Sequence, residues 1–151
     1  MEEDKLREKV VPILNQKLHH TFNWLYLNMG SEQIFATLYV SIITLVILFQ
    51  FCLIYGAPWG QITQGGQYHG ALPIRGRVTA AISIFLLIYM AASVTSAAGL
   101  NPDWADWTAY LAIAIQALSA ILNWITPSKK ERQLWAPVTS IMLLLAVLVV
   151  I

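Results

Sequence analysis

The sequence predicts an all-α integral membrane protein: a four-helix bundle with an amphipathic N-terminal helix at the interface. Two observations carry this. Of 151 residues, 58% are hydrophobic and 11% charged, against about a quarter charged in an ordinary soluble domain, so too few charges exist to clothe a water-facing surface. Four runs, 34–55, 78–98, 107–125 and 136–151, contain no Asp, Glu, Lys, Arg or His. As a helix, roughly 20 apolar residues cross about 30 Å of hydrocarbon. The runs are continuously apolar, whereas barrel strands would alternate.

The segment 1–33 places Leu6, Val10, Ile13, Leu14, Leu18, Phe22 and Leu25 at helical spacing, with charged or amide residues on the other face. That pattern suits an interfacial helix lying on the bundle or on lipid; an arm that docks a partner is the alternative reading. Pro12 is expected to break it early. The first span is too long for a signal-peptide apolar region and is expected to be a retained anchor. Trp59, Trp104, Trp107, Trp124 and Trp135 flank the spans, as in an aromatic belt, and Trp24 lies in the N-terminal segment. Gly99 is placed to close the second helix, Asn101 to cap the third and Pro102 to occupy its first turn. Ser128 and Glu131 have capping-box spacing, predicting a short interfacial helix over 129–135 that Pro137 separates from the fourth span. All of this reads as one membrane domain.

Several function classes are disfavoured. A net charge of +1 with no basic stripe argues against a nucleic-acid partner. The single cysteine, Cys52, allows no intramolecular disulfide and no Cys-based metal cluster. Proton-coupled transporters, intramembrane proteases and small multidrug exporters need titratable groups at depth, and a transmembrane haem needs axial histidines. No metal, cofactor or catalytic residue is assigned, and the reading leans against an enzyme.

Polarity within the spans consists of amides and hydroxyls. Ala109, Ala112, Gln116, Ser119 and Asn123 share one seam of the third span, and Ala91, Thr95 and Gly99 recur every four residues in the second. Such small and polar residues let helices approach and hydrogen-bond, as packing glue or, alternatively, as a cavity lining. Gln116 needs a partner at mid-span, with Gln50, Ser93 and Thr95 as candidates. The fourth span is almost wholly aliphatic and is expected to face lipid or an oligomeric neighbour.

The loop 56–77 holds six of the eight glycines, interleaved with Trp59, Tyr68, His69, Arg75 and Arg77. This is not the composition of a flexible linker, so an ordered loop is expected. With Asn123 at the same end, Trp59, Tyr68, His69, Arg75 and Arg77 form a candidate site for an anionic lipid or amphiphile. The alternative is that the arginines set topology and the histidine is merely solvated.

The run Tyr55-Gly56-Ala57-Pro58-Trp59-Gly60, followed by Gly65-Gly66, Leu72-Pro73 and the arginines, resembles small uncharacterised four-helix integral membrane proteins of bacteria. The resemblance covers about 34–151; it implies the architecture and a bacterial inner membrane, and no activity. Two functions follow as expectations. One is a non-enzymatic subunit, scaffold or modulator acting by helix–helix assembly, as a homo-oligomer or in a larger membrane complex. The other is binding or transport of a lipid-like or anionic amphiphile at the Gly/aromatic/Arg loop. An enzyme acting on a lipid head group through His69 with Glu131 or Tyr68 ranks below both.

Arg75, Arg77, Lys129, Lys130 and Arg132 fall in the two loops at one end, and the connection near 99–106 has no Lys or Arg. The basic loops 56–77 and 126–135 are therefore expected in the cytoplasm, with both termini outside, although Lys5, Arg7, Lys9 and Lys17 pull the other way. A reporter fused after Ile151 that works only outside the cytoplasm is expected to be active; activity of a cytoplasm-only reporter there would reverse the orientation.

Overall fold

The computed structural model describes residues 10–14, 16–17 and 29–151. It divides into two units, Met1–Gly30 and Ser31–Ile151. In the first unit the described residues 10–14 and 16–17 are helical. Pro12 lies among them, where its fixed φ is compatible with helical backbone; residues 1–9, where it is expected to break the helix, lie outside the described residues. Leu6, Leu18, Phe22 and Leu25 of the amphipathic pattern lie outside the described residues.

The second unit contains four helices, α1 (Ser31–Ile54), α2 (Ile74–Ala97), α3 (Trp107–Ile125) and α4 (Lys129–Val150), and no strand among the described residues. All four are long and apolar enough to cross a membrane. At about 1.5 Å per residue the 24-residue α1 and α2 are each about 36 Å long. Around the bundle α1 packs on α2 and α4, and α3 packs on α4; α2 and α3 touch least of the neighbouring pairs.

Local chemistry accounts for some helix ends. Gly99, at φ +70°, ends α2: its N–H donates to the Ser96 carbonyl and the Leu100 N–H to that of Thr95, both 3.0 Å. The Ser128 hydroxyl caps α4 by accepting from the Glu131 N–H at 3.3 Å. The start of α3 departs from expectation. Asn101 and Pro102 belong to the connection, and α3 starts at Trp107 after Asp106, without a side-chain cap. The connection is held against the end of α2, where the Trp104 N–H donates to the Ser96 hydroxyl at 2.9 Å, and the chain turns helical only after leaving that contact.

The fourth helix differs most. It runs unbroken from Lys129 through Pro137 to Val150, so there is no separate interfacial helix. The carbonyl that Pro137 cannot serve belongs to Gln133, an exposed residue in the second turn, where solvent can meet it. Nor does α4 lie wholly on the outside: Ala136, Thr139, Met142, Ala146 and Val149 are buried on one face, while Leu144 and Leu148 are exposed on the other. An aliphatic helix has no polar face to hide, and the small Ala136 and Ala146 allow close approach.

The buried core gathers in one half of the bundle. Ala36, Tyr39 and Ile43 of α1 meet Met90 and Val94 of α2, Ala112 of α3 and Met142, Ala146 and Val149 of α4. In chain direction these positions all lie toward the end opposite the glycine-rich loop. At the loop end a smaller cluster joins Leu53, Leu72 and Ala80, with Tyr68 packed against it.

The loop is folded. It forms two short 3-10 turns, Gly60–Ile62 and Gln64–Gly66, and contacts helices on both sides. Trp59 stacks on Phe49 at 5.5 Å, and Phe49 meets the edge of Trp135 at 4.8 Å. The Trp135 indole N–H donates to the Ile62 carbonyl (2.8 Å) and the Ser128 hydroxyl to that of Gln61 (2.9 Å), tying the loop to α4. The Gln64 amide donates to the Gly76 carbonyl at 2.7 Å, tying it to α2. Gly60 is required where the loop crosses itself: its N–H donates to the Gly70 carbonyl at 2.8 Å, and a Cβ there would lie 2.7 Å from the carbonyl oxygens of Tyr68 and Gly70. Backbone cannot yield as a side-chain tip can. Gly60→Ala is therefore expected to destabilise the bundle by about 1–3 kcal/mol, read as a lower midpoint of thermal unfolding in detergent.

Candidate ligand-binding cavity

Between the buried core and the loop lies a cavity of about 200 Å³ walled by all four helices. Its inner end is set by Gln116, which is 2% exposed. Gln116 Nε2 donates to the Thr139 carbonyl at 3.0 Å, and its Oε1 accepts from the Tyr39 hydroxyl at 3.4 Å, joining α1, α3 and α4. None of Gln50, Ser93 and Thr95 is its partner. Ser93 and Thr95 instead return their hydroxyls to carbonyls of their own helix.

Toward the loop the wall becomes polar. Gln50, Thr63, Ser119, Asn123 and Glu131 all line the cavity. Asn123 donates its amide to the Ser119 carbonyl at 2.8 Å, which leaves its oxygen as an open acceptor. The hydroxyl of Ser119 and the amide of Gln50 make no hydrogen bond within the described protein. No fully enclosed side-chain nitrogen or oxygen among the described residues lacks a partner, so these open groups border accessible space.

Glu131 is the residue that sequence reasoning misplaced. The sequence reading places it in a capping box with Ser128 at the start of a short interfacial helix; in the structure it is 8% exposed and lines the cavity. Its backbone N–H takes the cap while its carboxylate turns inward, accepting from the Thr126 hydroxyl through Oε2 at 3.0 Å. The usable signal was the four-residue spacing of Glu131, Trp135 and Thr139, which share one face once α4 is continuous.

The cavity shares part of its lining with a groove on the flank of the bundle. At the end away from the loop, α2 and α3 are clasped: the Tyr89 hydroxyl donates to the Thr108 carbonyl at 3.3 Å, and the Tyr89 and Trp104 rings lie 5.7 Å apart. Toward the loop an open groove of about 640 Å³ is lined by Leu86 of α2 and Ile115, Leu118 and Leu122 of α3. Leu86, Ile115, Ser119, Asn123 and Glu131 border both spaces.

The six residues suggested for a loop site do not gather around one point. Asn123 faces the cavity. Trp59 packs on Phe49, and Tyr68 packs on the Leu53–Leu72 cluster. His69 is exposed and its Nδ1 pairs with the Gln61 amide at 3.0 Å; Gln61 also accepts from Lys130 Nζ at 2.6 Å. Arg75 and Arg77 belong to the first turn of α2, not to the loop. Arg75 is exposed, whereas Arg77 donates through Nε to the Leu72 carbonyl at 2.9 Å and lays its guanidinium against Gly56. Of the packing seams, Ala109, Ala112 and Gln116 are buried, Ser119, Ala91 and Thr95 are half-buried, and Gly99 is exposed. No group of residues suited to hold a metal occurs among the described residues.

Comparison of the chain with protein-family models, curated proteins and solved structures finds no match. What the cavity does therefore rests on its own chemistry.

Gln116→Leu, nearly isosteric, is expected to cost about 1–2 kcal/mol, since it removes both hydrogen bonds that close the inner end. Tyr39→Phe removes only the longer one and is expected to cost under about 1 kcal/mol. Reversible unfolding in mixed micelles ranks the two; equal losses would mean that the Thr139 contact contributes nothing.

Proposed function

We propose that the chain is a non-enzymatic multi-pass membrane protein that binds a small amphiphilic molecule in the bundle cavity, admitted sideways from the bilayer. One observation carries the reading: Gln50, Ser119, Asn123 and Glu131 present open hydrogen-bonding atoms to a cavity inside helices apolar enough to span. In hydrocarbon an unsatisfied polar group costs several kcal/mol, roughly, so such atoms are retained where water or a ligand's polar group meets them. The adjoining groove is lined by leucine and isoleucine and suits an alkyl chain. The cavity, at about 200 Å³, is smaller than the roughly 300–1,000 Å³ usual for small-molecule sites, which favours a compact head group with its tail in the groove.

Arg75, Arg77, Lys129, Lys130 and Arg132 all belong to the loop end, which supports a cytoplasmic position for that end and for the mouth of the cavity. The bacterial inner membrane implied by the resemblance is the membrane we propose. The assembly reading has less support: Ala109, Ala112 and Gln116, the seam that motivated it, are occupied within the chain's own bundle. An anionic head group at the arginines has less support as well, because Arg77 is engaged with Leu72 and Gly56.

A photoreactive dodecanol incorporated with the protein in phosphatidylcholine nanodiscs is expected to label Ile115, Ser119 and Val138 above the lipid-facing Leu144 and Leu148. Ser119→Phe, which fills both spaces, is expected to abolish the excess. Equal labelling of cavity and lipid-facing positions in the unmodified protein would refute the reading.

A further inference from the structure

We infer that the bound amphiphile carries a protonated amine, with Glu131 as its counter-ion and Asn123 and Ser119 as further acceptors; this rests on the cavity reading above. Glu131 is the one formally charged side chain among the residues bordering the cavity or the groove. No described cation lies within ion-pair distance of it. Its sequence neighbours direct their charges elsewhere, Lys130 to Gln61 Oε1 and Arg132 to the Thr126 carbonyl at 3.4 Å. Glu131 as a residue is 8% exposed, and the Thr126 hydroxyl engages only Oε2 of its carboxylate. A carboxylate on a residue so withdrawn from water is costly unless a cation reaches it, and the other oxygen, Oε1, has no hydrogen-bond partner among the described residues.

The neighbouring groups agree in sign. Asn123 donates one amide hydrogen to the Ser119 carbonyl, and its side-chain oxygen remains to offer the cavity an acceptor. The Ser119 hydroxyl one turn away accepts equally well, and both residues border the groove as well as the cavity. A primary ammonium has three donors and no acceptor, which matches one carboxylate oxygen, one amide oxygen and one hydroxyl. A carboxylate or phosphate would meet Glu131 as a like charge. A free inorganic cation would leave the leucine-lined groove unused, so the tail is part of the assignment.

The test uses the full chain in phosphatidylcholine nanodiscs with three photoreactive probes of equal chain length: dodecylamine, dodecanol and dodecanoic acid. Labelling at Ile115, Ser119 and Val138 is divided by labelling at Leu144 and Leu148, which cancels each probe's partitioning into lipid. The amine ratio is expected to exceed the alcohol ratio by about tenfold, the scale of one charge-assisted hydrogen bond. Glu131→Gln should bring the amine ratio down to that of the alcohol measured in the same variant, while Asn123→Asp should raise the amine ratio further. If the alcohol labels the cavity but the amine shows no advantage, or keeps its advantage in Glu131→Gln, the amine assignment is overturned and the cavity reading stands. A preference for the acid would overturn it too. If none of the three labels the cavity above the lipid-facing positions, the cavity reading itself fails.

Discussion

An amide placed in the middle of an apolar bundle must find partners, and the rest of this structure is organised around how Gln116 finds them. Its two bonds join α3 to α1 through Tyr39 and to α4 through the Thr139 carbonyl. Those contacts mark a boundary. On one side the helices close over Tyr39, Ile43, Val94, Ala112 and Ala146 with no polar group to satisfy but those already paired. On the other side the polar residues outnumber their mutual partners, and the helices stand apart around the excess.

The loop holds that second half open. Were it a slack tether, the apolar walls around Gln50 and Ser119 would be free to collapse and exclude the unpaired groups to a surface. Instead the Trp59–Phe49–Trp135 contacts and the bonds from Ser128 and Trp135 to loop carbonyls brace α1 against α4 at the loop end. The bond from Gln64 fastens the beginning of α2 as well. The α2–α3 pair has its described side-chain clasp at the opposite end, and the groove lies where that clasp is missing. The hydrogen-bonded loop and the sparse contact of α2 with α3 together leave polar groups bordering the cavity and the groove.

Glu131 shows how a local motif and a tertiary environment divide one residue. Its backbone completes the helix start with Ser128, a contact within four residues that any sequence reading finds. Its carboxylate is turned away from the cap by Thr126 and enters the cavity, because α4 continues past Pro137 and carries the first turn into the bundle. The same residue that completes the helix start thereby places the one formal charge among the residues that line the cavity and groove.

The four helices, the ending of α2 at Gly99 and the capping of α4 by Ser128 were legible in the sequence because each depends on local composition or on contacts a few residues apart. Burial in α4 was not, because lipid and protein interior are about equally apolar and an aliphatic helix carries no mark of which it faces. The partners of Gln116, 77 residues away at Tyr39 and 23 at Thr139, depend on which helices become neighbours. The scattering of His69, Arg75 and Arg77 was equally invisible, since proximity in a loop does not specify where a fold directs each side chain. The sequence by itself determined that four apolar helices form and where charge is scarce, as hydrophobicity and caps act locally; only the tertiary structure decided which polar atoms are paired and which face a cavity, because hydrogen bonds between helices exist only once the helices have met.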